Sequence, residues 1–211
     1  MLTAIIDYSS GNLHSARKAF EKISASNNLG SVVVTSNPDV ISSADRLVLP
    51  GDGAFPACKT ELLSSEAYDA MVYAAVEKGR PFLGICVGMQ LMASKGYEYE
   101  ETDGLGWIDG EVCKIDLTDK NLKIPHMGWN TLNIENDHPI LKGILNGDHV
   151  YFVHSFQMVV SNRKQRLAYT DYGTDITAVV GNGNLLGFQF HPEKSAKIGL
   201  KMIENFLSWS P

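Results

Sequence analysis

The apolar run Pro81 to Ile85 passes straight into Gly84-Ile85-Cys86-Val87-Gly88, and from Val87 to Ala93 the apolar spacing turns helical. A G-x-nucleophile-x-G segment between strand and helix is a sharp turn: its glycines let the backbone double back and leave the central side chain strained and exposed. The central residue here is Cys86. The chain before it supplies the sheet such a turn belongs to. Leu2 to Asp7 reads as a buried strand, and Leu13 to Lys22 as a helix entered through Gly11-Asn12. Ser31 to Thr35 and Arg46 to Leu49 read as strands, the latter stopped by Pro50-Gly51, with a short helix opening at Asn37-Pro38 between them. Ser65 to Lys78 has Ala67, Met71, Val72, Ala75 and Val76 at helical spacing and closes at Gly79. Strands and helices in alternation imply a parallel sheet covered on both faces.

The second half changes character. Glu111 to Leu117, Thr131 to Ile134, Val150 to Val160, Arg166 to Thr170, Ile176 to Val180 and Leu185 to Phe190 are strand-like, and Gly181-Asn182-Gly183-Asn184 supplies a hairpin turn. An antiparallel extension of the sheet is the economical arrangement. Ser195 to Ser208 closes the chain as a helix with Ile198, Met202, Ile203, Phe206 and Leu207 on one face.

With 211 residues and 44% hydrophobic composition, the chain has enough core for one domain, expected over residues 1–211. Eighteen Lys plus Arg against 24 Asp plus Glu leave a net charge of −6 with no basic run, which counts against nucleic acid as a partner. The N-terminus lacks the cationic, apolar pattern of a signal peptide, and no apolar stretch is long enough to span a membrane, so a cytoplasmic protein is expected. Cys58, Cys86 and Cys113 form no CxxC pair, and the histidines show no metal-ligand spacing, so neither a disulfide framework nor a metal site is expected.

A cysteine nucleophile needs a base and an orienter for that base. His191-Pro192-Glu193 follows the strand Leu185 to Phe190, so His191 emerges at a strand's carboxyl end, where open α/β sheets place their sites. Glu193, across a stiffening proline, is placed to hold the imidazole. Pro50-Gly51-Asp52-Gly53 ends another strand, and its glycines allow a peptide N–H to face a developing oxyanion. Each piece also fits something plainer: a buried cysteine between packing glycines, a surface turn, a tight loop. In combination they favour a Cys86–His191–Glu193 triad.

Together these segments resemble the class I glutamine amidotransferases. Asp7 to Leu13 (DYSSGNL), Ile124 to Asn130 (IPHMGWN), Tyr151 to Phe156 (YFVHSF) and Gly187 to Ser195 (GFQFHPEKS) are similar, more narrowly, to the glutaminase subunits of imidazole glycerol phosphate synthases of histidine biosynthesis. The resemblance implies a three-layer α/β fold with a mostly parallel central sheet and an antiparallel extension in the C-terminal half. It matches Cys86 to the nucleophile that forms a glutamyl thioester, His191 to the base and Glu193 to its orienter. Gln90, Ser155 and Phe156 match the glutamine-binding positions, and Gly51, Asp52 and Gly53 the oxyanion loop. The family usually carries an apolar residue where this chain has Asp52, so the carboxylate is expected to face away. No cofactor is implied. The implied partner is a (β/α)8-barrel cyclase subunit that receives the ammonia, and Asn12, Pro125, His126, Met127, Trp129 and Lys194 match positions near that interface. A glutaminase subunit of another class I enzyme, such as pyridoxal phosphate synthase, and a non-catalytic regulatory relative are the competing readings; the first lacks its glycine- and glutamate-rich loop here, and the second is disfavoured by a complete triad.

Overall fold

The computed structural model describes residues 1–117 and 121–211. The first half alternates as its sequence predicts: β1 (Leu2–Ile6), α1 (Leu13–Asn27), β2 (Ser31–Thr35), α2 (Pro38–Ser43), β3 (Arg46–Gly51), α3 (Phe55–Ser64), α4 (Ala67–Val72), β4 (Phe82–Cys86) and α5 (Val87–Gln90). Asn12 caps α1 by accepting from Ser15 N, and Asn28 ends it in the left-handed conformation. Residues Ile5, Ile6, Leu47, Val48, Leu49, Phe82 and Leu83 are wholly buried, as befits parallel strands covered on both faces.

The second half contributes β5 (Lys95–Gly96), β6 (Thr102–Asp103), β7 (Gly110–Lys114), β8 (His126–Thr131), β9 (Asn133–Ile134), β10 (His149–His154), β11 (Phe156–Val160), β12 (Arg166–Asp171), β13 (Asp175–Asn182), β14 (Leu185–Phe188) and α6 (Ala196–Ser208). The central sheet runs β2-β1-β3-β4-β14-β13-β12-β9. It is parallel from β2 to β14 and antiparallel beyond, with the expected hairpin pairing Asn182 with Leu185. Right-handed crossovers put α1 on one face and α2 to α4 on the other, because the chain steps one way from β1 to β2 and the opposite way from β3 to β4. α6 returns to pack on α1, with the rings of Phe20 and Phe206 edge to face at 6.4 Å.

Several expectations are corrected. β3 does not stop at Pro50 but continues through Gly51, pairing Pro50 with Ile85 and Gly51 with Cys86. Pro50 lies past the last β1 partner, Ile5 opposite Val48, where a residue without an N–H is tolerated. The expected helix Ser65 to Lys78 is α4 followed by a π-helical turn, Tyr73–Glu77, and α3 before it was not foreseen. The helix after Cys86 lasts a single turn. Its next carbonyls, of Leu91, Met92 and Ala93, accept from Leu105, Trp107 and Gly106 instead of from further helix. Val150 to Val160 is two strands, because the chain changes sheets at Ser155: β10 pairs with β8 in a two-stranded ribbon, whereas β11 joins β7, β5 and β6. The antiparallel half is therefore only partly an extension of the central sheet.

Candidate active site

The carboxyl ends of β3, β4 and β14 converge on Cys86. Cys86 has φ 54° and ψ −113°, a left-handed conformation that costs an ordinary residue on the order of 1–3 kcal/mol. The glycines on either side make this turn possible by leaving space. A Cβ on Gly84 would lie 2.5 Å from the Gly88 carbonyl oxygen, and one on Gly88 would lie 1.9 Å from that of Leu49. The elbow is thus held by close backbone contact with β3, and the sulfur stands at the floor of a cavity of about 150 Å3. α5 is too short to contribute much of a helix dipole, so the environment of the thiol is set by side chains.

The chief of these is His191, 4% exposed, whose Nδ1 is 2.9 Å from Glu193 Oε1. Burial opposes the imidazolium, but hydrogen bonding and charge from Cys86 and Glu193 outweigh it and push His191 up to about 10. The ring therefore stays cationic through neutral pH beside the sulfur. The turn that carries it is pinned to β10: His191 N donates to Tyr151 O at 3.0 Å. Ser195 Oγ closes the same clasp, donating to His191 O at 2.6 Å and accepting from Tyr151 N at 2.9 Å.

The cavity wall is polar. It is formed by Asp52, Gly53, Val87, Gln90, Glu98 and the segment from Val153 to Phe156. Gln90 Nε2 donates to Phe156 O and to Gln189 Oε1, both at 3.0 Å, which leaves its Oε1 as the acceptor. The Glu98 carboxylate receives Phe55 N at 2.8 Å, capping α3 from a distance where Ala54 cannot. On the loop after β3, Ser10 Oγ donates to Asp52 O at 2.9 Å, so the backbone rather than the Asp52 carboxylate is what the protein holds. A thiol with an imidazolium beside it, a carboxylate behind that ring and acceptors across a small cavity can perform nucleophilic attack on the carbonyl of a cationic, polar substrate.

A family model for the class I glutamine amidotransferases matches residues 4–209. The subunit HisH of imidazole glycerol phosphate synthase from Ruegeria pomeroyi is 63% identical over 212 residues, covering all of both chains, and that from Cereibacter sphaeroides is 54% identical with the same coverage. The chain belongs to the HisH family of class I glutamine amidotransferases. Solved amidotransferases share the fold at low identity: one has a TM-score of 0.70 at 18% identity, covering 96% of this chain and 98% of its own. Another, from Thermotoga maritima, has a TM-score of 0.62 at 18% identity, covering 97% and 81%.

In this amidotransferase Cys86, Gln90, Ser155 and Phe156 line one cavity with Asp52 and Gly53, and His191, paired with Glu193, lies against Cys86. Gly51 lies beneath, buried in β3, where a Cβ would meet Gly88 N at 2.5 Å. Asp52 itself is exposed. Of the expected interface residues, Met127 and Trp129 are 62% and 52% exposed, Pro125 is exposed, and Asn12 and Lys194 are half-buried. His126 is corrected: it is buried between the rings of Phe152 and Tyr172 and presents no partner surface, because alternate residues of β8 face inward. Glu98, Gln189 and Ser195 were missed as site residues. Gln189 and Ser195 lie within the quoted GFQFHPEKS segment, whereas Glu98 sits in a plain acidic run that carries no signal. Among the described residues, no cluster of His, Cys, Asp and Glu is arranged to hold a metal, and no helix is long and apolar enough to cross a membrane.

Proposed function

We propose that this chain is the glutaminase subunit of an imidazole glycerol phosphate synthase, working in the cytoplasm as one amidotransferase domain over residues 1–211. The Cys86 thiolate attacks the side-chain carbonyl of glutamine. The oxyanion forms against the loop Gly51 to Gly53, and His191 hands its proton to the departing ammonia, leaving a glutamyl thioester. His191 then takes a proton from water as the water attacks, and glutamate leaves as the thiolate is restored. Glu193 keeps the imidazole oriented throughout. Glu98 and Gln90 Oε1 offer negative charge and an acceptor to the substrate's ammonium, while the backbone of Ser155 and Phe156 serves its carboxylate. The small polar cavity suits an amino acid, being below the roughly 300 Å3 at which drug-sized ligand sites begin.

The pairing of His191, backed by Glu193, with the Cys86 that lines that cavity carries the hydrolytic step. The choice of synthase rests on full-length similarity to chains named HisH. Free ammonia is protonated and lost in water, so an acceptor subunit is required, and we assign it as a (β/α)8-barrel cyclase that makes imidazole glycerol phosphate and aminoimidazole carboxamide ribonucleotide. Its docking surface is the outward face of the β8/β10 ribbon, where Met127, Trp129 and Tyr151 alternate with inward residues. The exposed Ile124 and Pro125 lead into β8, and the half-buried Asn12 and Lys194 are assigned to the same interface. An exposed apolar patch beside a catalytic turn is the expected mark of a partner.

The test is glutamine hydrolysis by the chain alone, with a cognate cyclase, and with cyclase plus its acceptor nucleotide. Stimulation of about 10- to 100-fold by the full combination is expected, and its absence would remove the synthase assignment. In the same assay Asp52→Val keeps coupled hydrolysis within about threefold, as for other surface substitutions, since only the backbone of that residue is anchored. A loss beyond tenfold would mean that the carboxylate takes part.

A further inference from the structure

Behind the cavity lies a file of buried polar groups that the proposed chemistry does not use. His154 Nδ1 is 2.8 Å from Phe156 O, His154 Nε2 is 3.0 Å from His126 Nδ1, and His126 Nε2 is 3.2 Å from Asn130 Nδ2. Every proton in this file is fixed by its neighbours. A carbonyl only accepts, so His154 carries its proton on Nδ1. Burial lowers His154 to about 3, the hydrogen bond to Phe156 O only partly opposing it, with His126 and His191 adding repulsion; burial likewise lowers His126 to about 4. Both rings are therefore neutral at pH 7, and His154 Nε2 is an acceptor. His126 must then donate from Nδ1 and accept at Nε2. The donor it needs is there: Thr131 N binds Asn130 Oδ1 at 2.8 Å, which turns the amide nitrogen toward His126 and toward Asp171 O at 2.9 Å.

The file ends on a carbonyl whose second lone pair is already in use. Phe156 O accepts from both His154 Nδ1 and Gln90 Nε2, so it makes no bond to substrate. It is instead the peg that orients Gln90, and with both Gln90 N–H groups spent on Phe156 O and Gln189 Oε1, the Gln90 oxygen is the end left for a ligand. His154 is 6% exposed and lines the cavity, whereas His126 is locked by stacking at 4.7 Å on Phe152 and 4.0 Å on Tyr172. The strand bearing His126 carries Met127 and Trp129 on its opposite face.

We propose that His126 and His154 are positioning residues for the amidotransferase reaction: as a one-way hydrogen-bond file from Asn130, they fix the Phe156 carbonyl and through it the orientation of Gln90. This rests on Gln90 being a glutamine anchor. Because Gln90 meets the amino-acid end of the substrate and not the reacting amide, breaking the file weakens binding in ground and transition states alike.

The decisive comparison is between His126→Phe and His126→Asn in the complex with the cyclase. Phenylalanine keeps a ring between Phe152 and Tyr172 but leaves His154 Nε2 without a donor. Asparagine loses the ring but places an N–H where Nδ1 was. The KM for glutamine rises about tenfold in His126→Phe, the effect of stranding one buried acceptor, with kcat changed less than about threefold, and His126→Asn returns KM to within about threefold of wild type. A KM in His126→Phe equal to wild type overturns the proposal, and so does an Asn variant as impaired as Phe, which would make the role one of packing. A second measurement needs no turnover: in the wild-type chain, 15N shifts place the proton on Nδ1 of both rings at pH 7, and an Nε2-protonated His154 overturns the file. If the wild type fails to hydrolyse glutamine at all, the functional reading falls, and the tautomers still decide the file.

Discussion

Cys86→Ser lowers partner-stimulated glutamine hydrolysis by at least about 10^3-fold while the chain stays folded. The reason lies in what the site is built to stabilise. His191 is held cationic beside the sulfur, and this pairing serves a group that readily becomes an anion, as a thiol does and a serine hydroxyl does not. The strained backbone of Cys86 sets the direction of the side chain whatever atom it carries, so that loss of rate reports chemistry rather than geometry. Steady-state hydrolysis with circular dichroism as a folding control checks the prediction, and a variant keeping more than a tenth of wild-type turnover would place the nucleophile elsewhere. The same pair has a stability signature. His191 binds its proton more tightly when folded, at about 10 against the ordinary imidazole value of 6.5, so its contribution is fully present below pH 6.5 and is lost as pH rises through about 10. Urea midpoints of wild type should fall more between pH 7 and pH 10 than those of Cys86→Ser, which removes the sulfur that helps His191 hold its proton.

Gly88→Ala should unfold the protein or cost it about 3 kcal/mol or more. The new Cβ would stand 1.9 Å from the carbonyl oxygen of Leu49, and that oxygen belongs to β3, which is hydrogen-bonded between β1 and β4 and cannot retreat. Gly88 does not have a left-handed φ, so its requirement for glycine is one of space alone. Gly183→Ala provides the contrast. At φ +57° with nothing within 4 Å of a new Cβ, it bears only the conformational penalty of roughly 1–2 kcal/mol. Urea unfolding of the two variants separates the effects, and equal losses would show that the elbow has slack the close approach denies.

Much of the site was legible because its chemistry is local. The elbow is five consecutive residues whose glycines, cysteine and flanking strand and helix all bear on one turn, and His191 and Glu193 are two apart across a proline. The parallel sheet was legible for a similar reason, since strands buried on both faces are continuous apolar runs. The misses arise where distant partners compete for a segment. The helix after Cys86 was expected to reach Ala93, but the backbone of residues 105–107 takes its carbonyls. Val150 to Val160 reads as one strand because both of its parts alternate, and nothing local says that β8 claims one and β7 the other.

By itself, the amino-acid sequence singled out Cys86, His191 and Glu193 for the proposed roles of nucleophile, base and orienter, and the sheet that holds them, because each rests on spacing along the chain. Only the tertiary structure decided which polar groups face the substrate cavity. Glu98 arrives by capping a helix, Phe55–Ser64, that is remote in sequence, and Gln90 is oriented by the buried Gln189 and by Phe156 O. His126 looked like a surface residue beside Trp129 and proved to be buried. The physical reason is the same in each case: a buried polar atom takes its role from whichever partner satisfies its hydrogen bonds, and that partner is chosen by the packing of the whole chain.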